Sequence, residues 1–256
     1  MSDWRPGLYL KFADERTRPA RDLLAQVPLQ DPQSIYDLGC GPGNSTALLV
    51  ERFPQASVTG IDNSPAMLDA ARIACPSARF LDDDLTDWMP DWPPALLFSN
   101  AALQWVPGHL GVLERLAGTL GEGGVLAVQM PDNLMEPSHR LMQEVAEQGP
   151  WSETLRLASA ARDPLPAPIV YYRRLKPLFS RLDIWHTTYN HPLQGAAGIV
   201  EWVKSTGLRP YLDPLTECER VAFLADYESR LAEAYPEDDR GTVLLRFPRL
   251  FLVGQR

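Results

Sequence analysis

Ser34-Ile35-Tyr36-Asp37-Leu38-Gly39-Cys40-Gly41-Pro42-Gly43-Asn44-Ser45-Thr46 decides the fold. It reads as a short apolar strand, then a glycine turn, then the start of a helix. Gly39, Gly41 and Gly43 carry no Cβ, so the loop can take positive φ and let its backbone approach a ligand closely. Asn44, Ser45 or Thr46 can cap the following helix, whose free N–H groups point back at the loop. Such a strand, loop and helix start at the head of an α/β unit form a nucleotide or nucleoside cradle. The glycines are spaced G-x-G-x-G rather than G-x-G-x-x-G, and an acid, Asp37, stands at the strand end. A pyrophosphate loop uses the later glycine for close helix packing.

The next units fit the same site. Residues 56–62 form a second strand ending in Asp62, roughly twenty residues past the loop, where a carboxylate can accept both hydroxyls of a ribose. Ser64-Pro65 starts a helix with Met67, Leu68 and Ala71 on one face; Met67 packs there and can flank a base. A short third strand, 78–81, runs into Asp82-Asp83-Asp84-Leu85. One of these acids can reach a base edge while the others face solvent. Residues 95–98 and 125–130 are near-continuous apolar runs, as parallel strands covered on both faces require. Asn100 follows the fourth strand at its carboxyl end, where ligands sit in an open α/β sheet. Asn63, beside Asp62, completes the candidates for holding the ligand.

Composition bounds the rest. The 256 residues are 45% hydrophobic and 22% charged, as in globular chains. A net charge of -9 excludes a broad nucleic-acid or anionic-membrane surface. Cys40, Cys75 and Cys218 lie far apart with no metal spacing, which points to a reducing, cytoplasmic setting and no metal site. No signal peptide and no apolar run of membrane-spanning length is present.

Outside the strands, Leu23, Leu24 and Val27 recur at helical spacing after Pro19, which suits a helix first turn. Before them, Tyr9 and Phe12 belong to an N-terminal arm that packs on the body or lids the site. Helical patches are predicted at 107–120, 137–148, 168–179, 196–206 and 214–235, and late strands at 182–190 and 243–253. Pro248 inside the last strand argues for an edge position or a bulge. The order predicts an α/β fold: a doubly wound, mostly parallel seven-stranded sheet with a late antiparallel edge and a helical insert over the site. The chain reads as one domain, with residues 1–30 as arm and first helix, and with 132–180 and 207–237 as mainly helical insertions forming a cap.

Asp37-Leu38-Gly39-Cys40-Gly41-Pro42-Gly43 resembles the first motif of class I S-adenosylmethionine (SAM)-dependent methyltransferases, whose fold is Rossmann-like. The resemblance implies SAM as cofactor and S-adenosylhomocysteine as product, with Asp84 and Leu85 at the adenine and Asp83 as the fallback acid. Residues 100–106, Gln129-Met130-Pro131-Asp132-Asn133 with Pro137-Ser138-His139, and Glu201-Trp202-Val203-Lys204-Ser205-Thr206-Gly207-Leu208-Arg209-Pro210-Tyr211-Leu212 are similar to the trans-aconitate 2-methyltransferase family. That similarity runs from Tyr9 to the last strand. It implies methyl transfer to one carboxylate of a small polycarboxylate, trans-aconitate. A carboxylate is already a nucleophile at neutral pH, so alignment suffices and no catalytic acid or base is expected.

The acceptor is a trianion meeting an acidic protein, so its pocket needs local cations or neutral donors. Arg209, in the most specific segment, has the planar fork that matches a carboxylate. Gln104, Trp105, His139, Trp202, Tyr211 and Tyr9 are further acceptor candidates. The expected partners are small molecules only, in a monomer or weak dimer. The alternatives are a SAM-dependent enzyme for another small molecule, a NAD-dependent oxidoreductase, or a SAM-binding protein without turnover.

Overall fold

Parallel pairing builds the sheet outward from β1 (Ser34–Leu38). It pairs with β2 (Ser57–Asp62) on one side and β4 (Leu96–Asn100) on the other. β2 then pairs with β3 (Arg79–Asp82), and β4 with β5 (Val125–Pro131). β7 (Thr242–Gln255) and the edge strand β6 (Arg181–Gln194) complete the order β3-β2-β1-β4-β5-β7-β6. The computed structural model describes residues 13–158, 162–204 and 206–256; Tyr9, Phe12 and the rest of the N-terminal arm lie outside the described residues.

The chain runs β1-β2-β3 in one direction and then returns to β4 on the other side of β1. This reversal leaves a crevice at the carboxyl ends of β1 and β4, where α/β folds bind ligands. β4 and β5 are buried almost throughout, which explains their continuous apolar runs. β7 runs against its neighbours. Arg256 and Asp132 donate to the carbonyls of Gly124 and Pro248, while Gly195 donates to that of Gly241, so the numbering descends on one strand as it rises on the other.

Two expectations fail here for physical reasons. Pro248 is on an inner strand, between β5 and β6, not at an edge, and the pairs Asp132–Pro248 and Gly124–Arg256 keep one register, so no bulge interrupts the pairing with β5. β7 alternates buried and exposed up to Phe247 and is buried on both faces from there to Gly254, so Pro248 marks the change of environment. Pro19 lies inside helix α1 (Ala13–Leu24), not in its first turn. Asp14 and Glu15 favour a helix start there, and Arg16, Thr17, Ala20, Leu23 and Leu24 form one buried stripe that outweighs the missing proline N–H.

The remaining helices are α2 (Asn44–Arg52), α3 (Pro65–Ala74), α4 (His109–Ala117), α5 (Pro137–Gln148), α6 (Ser152–Leu155), α7 (Pro168–Leu175), α8 (Gly195–Lys204), α9 (Arg209–Leu212) and α10 (Glu217–Ala234). Ser64 caps α3 by accepting from Met67 N–H. Thr216 and Glu219 cap α10 reciprocally.

The chain divides into two compact units. Among the described residues, the first holds 13–131, 165–187 and 250–256, and the second 132–164 and 188–249. The first unit's core gathers Leu38, Ile61, Leu97, Leu126 and Val128 of the strands with Leu113, Tyr171 and Leu175 of α4 and α7. In the second, α10 packs on α5 and α8, with Phe223, Tyr227 and Leu231 fully buried.

Candidate active site

The glycine loop is held by the end of β2. Gly39 and Cys40 both donate to the carbonyl of Ile61. Gly41 N–H donates to Asp62 Oδ2 at 2.9 Å, and Ser64 N–H to Asp62 Oδ1 at 3.0 Å. Asp62 therefore ties the loop, through Oδ2, to the start of α3, through Oδ1. Gly39 has φ +70, and a Cβ there would stand 2.2 Å from that of Ala102, so only glycine lets the loop close on the turn after β4. Gly41, at φ +54, would instead project a Cβ into open space.

The loop forms one wall of a cleft of about 200 Å³. Among the candidates, Gly39, Gly41, Asn44, Asp62, Asn63, Met67, Asp84, Leu85, Asn100 and Trp105 line it. Asp83 lines it too; its N–H donates to the Asp62 carbonyl at 3.2 Å, and its Oδ1 accepts from Asp84 N–H. Asp84 Oδ1 accepts from Thr86 N–H at 2.8 Å, and its Oδ2 from the amide of Asn63 at 3.2 Å. These hydrogen bonds hold the Asp84 carboxyl below the usual range. Gly43 is the N-cap of α2 and packs on Ala71 of α3 behind the loop.

Asp37 sits one layer behind the cleft. It is fully buried, and its Oδ2 accepts from the hydroxyls of Ser45 and Thr46, both at 2.7 Å. Those residues form the first turn of α2, so the carboxylate also faces a positive helix end. Its Oδ1 has no hydrogen-bond partner among the described residues. Burial pushes the Asp37 carboxyl up to about 6, the two hydroxyls pull it down, and Asp62 raises it further. Burial likewise pushes the Cys40 thiol far up, so it is no thiolate.

The turn after β4 closes the opposite wall. Ala101 takes φ +57, a left-handed conformation unusual for a residue with a Cβ. Two hydrogen bonds hold it: its N–H donates to the Gln129 carbonyl at 2.9 Å, and its carbonyl accepts from Gln104 Nε2 at 2.6 Å. Gln104 is thus buried behind the turn and does not line the cleft, whereas Asn100, Ala101, Ala102 and Trp105 do. Asn100 Oδ1 has no hydrogen-bond partner among the described residues.

The site also includes residues the sequence alone did not single out. Arg16, Thr17 and Ala20 of α1 line the cleft, and Thr17 Oγ1 accepts from Asn44 Nδ2 at 3.4 Å. Their spacing of one and four on a helix just before the glycine motif is the signal that could have found them. Thr86, Val106 and Pro107 carry no comparable signal.

The other candidates belong to the second unit. His139 is buried in a polar chain. Arg162 Nη1 donates to Asn133 Oδ1 at 2.8 Å, which directs Asn133 Nδ2 onto His139 Nε2 at 3.3 Å. The histidine proton then sits on Nδ1 and faces Ser138 Oγ at 3.2 Å. Burial first, then the charge of Arg162, lowers the His139 pKa to about 3, so it stays neutral. Trp202 stacks on His191 at 4.3 Å, and Tyr211 on Phe223 at 6.1 Å. Burial pushes the Tyr211 phenol up to about 12. Arg209 Nη2 lies 3.5 Å from Asp213 on the next turn. Among the described residues no group of three His, Cys, Asp or Glu could hold a metal ion.

Comparison with known proteins gives concordant results. A family profile described as "Methyltransferase domain" matches residues 35–124. A protein named trans-aconitate 2-methyltransferase from Rhodopseudomonas palustris (strain BisA53) is 59% identical over 256 residues, covering 100% of both chains. One of the same name from Rhizobium rhizogenes is 58% identical over 251 residues, 98% of each chain. Among solved structures, the YcgJ protein of Bacillus subtilis superposes with a TM-score of 0.61 at 12% identity, covering 93% of this chain and 98% of that one. A SAM-dependent methyltransferase of Geobacter sulfurreducens in complex with S-adenosylhomocysteine gives 0.55 at 18%, covering 95% and 91%. At these identities the structures speak for the fold.

Proposed function

The chain belongs to the trans-aconitate 2-methyltransferase family of SAM-dependent methyltransferases, and we propose that it transfers a methyl group from SAM to one carboxylate of trans-aconitate. The products are the monomethyl ester and S-adenosylhomocysteine. The observation that carries this reading is the 59% identity, over the whole length, to a protein named for the reaction.

The cleft fits the cofactor. Its glycine loop leaves open space at Gly41, its β2 acid lines the cleft beside the loop, and Asn100 Oδ1 offers an acceptor with no partner among the described residues. Bound SAM supplies a methyl group already activated by a sulfonium. Asp62 holds the ribose hydroxyls, with Asn63 beside it. Asp84 accepts from the exocyclic amine of the adenine, and Leu85 and Met67 cover the ring. Gly39, Gly41 and Asn44 present the loop backbone to the amino-acid end, with Gly43 seating the loop on α3 from behind and Asn100 as acceptor for the ammonium. Arg16, on the α1 side of the cleft, takes the carboxylate of that end. Asp37 acts indirectly, by fixing the first turn of α2 and adding negative potential beneath a cationic ligand.

An acceptor carboxylate is ionised at neutral pH, so the residues need to orient and desolvate rather than move a proton. Trp105, on the wall at the carboxyl end of β4, is assigned to the acceptor side. Arg209 remains the candidate cation, with Asp213 steering its fork. His139, Trp202, Tyr211 and Tyr9 are further acceptor-side candidates, of which neutral His139 can donate without adding charge. Gln104 supports the wall through Ala101. The free thiols Cys40, Cys75 and Cys218 agree with a reducing, cytosolic setting, and the proposed assembly is a monomer or weak dimer. No helix of the described residues is long and apolar enough to cross a membrane.

A radiolabelled methyl assay over tri- and dicarboxylic acids tests the reaction. Label should enter a base-labile ester with trans-aconitate, and no ester with any polycarboxylate removes the reading. Calorimetry with S-adenosylhomocysteine and with NAD tests the cofactor, and heat is expected from the first alone.

A further inference from the structure

The turn Asp84–Trp88 carries three of the cleft-lining residues, Asp84, Leu85 and Thr86, on its first positions, and its own hydrogen bonds converge on Asp84. Asp87 and Trp88 N–H both donate to the Asp84 carbonyl, and Thr86 N–H donates to the Asp84 carboxylate. The carbonyls of Leu85, Thr86 and Trp88 are left needing donors, as at the end of a helix.

One side chain meets all three. Arg115, in the last turn of α4, donates from Nη2 to Leu85 O at 2.9 Å and to Thr86 O at 2.7 Å, and from Nη1 to Trp88 O at 2.6 Å. Nη1 also lies 2.9 Å from the sulfur of Met89. In a chain of net charge -9, this guanidinium is committed to backbone carbonyls of a single loop rather than to a carboxylate. It does not line the cleft itself. The Trp88 ring packs against Tyr36 of β1 at 5.0 Å. The turn is therefore held twice, by an aromatic contact on the sheet and by a planar fork on α4.

We propose that Arg115 is a positioning residue for cofactor recognition: its fork sets the Asp84–Trp88 turn so that Asp84 and Leu85 can read an adenine against a 6-oxopurine. This rests on the assignment of Asp84 to the exocyclic amine made above. Recognition of that amine requires a carboxylate placed within hydrogen-bond tolerance, because a displaced acceptor loses both the bond and the rejection of the wrong base. A planar guanidinium can bridge three carbonyls at once, whereas the single ammonium of lysine has no such fork.

The test uses the full chain with Arg115→Gln and Arg115→Lys. Calorimetry measures the Kd of S-adenosylhomocysteine and of S-inosylhomocysteine, in which a carbonyl replaces the amine. Wild type should prefer the adenosyl ligand by about tenfold or more, the value of one well-placed charged hydrogen bond. In Arg115→Gln the preference should shrink toward one, through weaker adenosyl binding, and Arg115→Lys should fail to restore it. The KM for trans-aconitate should stay unchanged in both. If wild type shows the preference and both variants keep it, or if both ligands weaken by the same factor, Arg115 has no part in reading the base. If wild type itself shows no preference, the assignment of Asp84 fails, and the proposal with it.

Discussion

The cofactor cleft of the first unit and the polar chain around His139 in the second are both built from charged and amide side chains, yet they are opposites. In the chain, side chains bond one another in series: Arg162 to Asn133, Asn133 to His139, His139 to Ser138. In the cleft, an acceptor is left over: Asn100 Oδ1 has no hydrogen-bond partner among the described residues. A closed network rigidifies, whereas an open one is ready for a ligand. The difference separates a residue that holds the fold from one that holds a substrate better than burial or residue type does.

The largest expected effect lies in the cleft. Gly39→Val places a branched side chain where even a Cβ would overlap Ala102, at a φ that valine avoids. Affinity for S-adenosylhomocysteine should fall at least about a hundredfold, near 3 kcal/mol, by calorimetry. The thermal midpoint should drop as well, since overpacking commonly costs roughly 1–3 kcal/mol.

Acid should pull the two regions in opposite directions. Asp37 has a carboxyl raised above its unfolded value, so the folded state binds more protons between about 4 and 6. Its contribution to stability therefore grows as pH falls through that window, by up to roughly 3 kcal/mol. His139 is depressed from 6.5 to about 3, so the unfolded state binds more protons and stability is lost as pH falls below 6.5. Urea unfolding at pH 7, 5.5 and 4.5 checks both. Asp37→Asn should steepen the acid loss and His139→Gln should flatten it. Identical pH slopes in all three proteins would refute both directions.

Asp62→Ala should weaken S-adenosylhomocysteine binding by about 1–3 kcal/mol, through lost charge-assisted hydrogen bonds to the ribose and a loosened Gly41. Asp62→Asn, which keeps one acceptor oxygen, should lose less. Unchanged affinity in the alanine variant would remove the ribose assignment.

The cleft was legible because it is local. The glycines, Asp62 and Asp84 each stand at a strand end that hydrophobic periodicity already marks, and strand ends in this fold face the ligand. What sequence could not show was the division of labour one layer down. Asp37 stands at a strand end too, yet the first turn of α2 folds back over it and takes its carboxylate. Gln104 neighbours Trp105, but the 3-10 turn 103–105 sends one behind the wall and the other into the cleft. The His139 chain joins residues up to 29 positions apart, and no short pattern records such a pairing. Pro248 and Pro19 were misread alike, because in both places burial of a whole stripe outweighs a single missing N–H.

The smallest expected effect tests whether strain in the cleft wall is held by a neighbour. Alanine at φ +57 costs roughly 1 kcal/mol, which glycine would not incur. Glycine raises the entropy of the unfolded chain by a similar amount, so Ala101→Gly alone should change stability by less than about 0.5 kcal/mol. The informative quantity is its coupling to Gln104. Gln104→Ala removes the 2.6 Å bond to the Ala101 carbonyl and should cost about 1 kcal/mol in the wild-type background. In the Ala101→Gly background the turn no longer needs to be forced, and the same change should cost about half as much. S-adenosylhomocysteine affinity should follow, falling in Gln104→Ala and partly returning in the double variant. Equal costs in both backgrounds would mean that Gln104 merely fills space, and that the left-handed turn is fixed by Gln129 and the close approach of Gly39 instead.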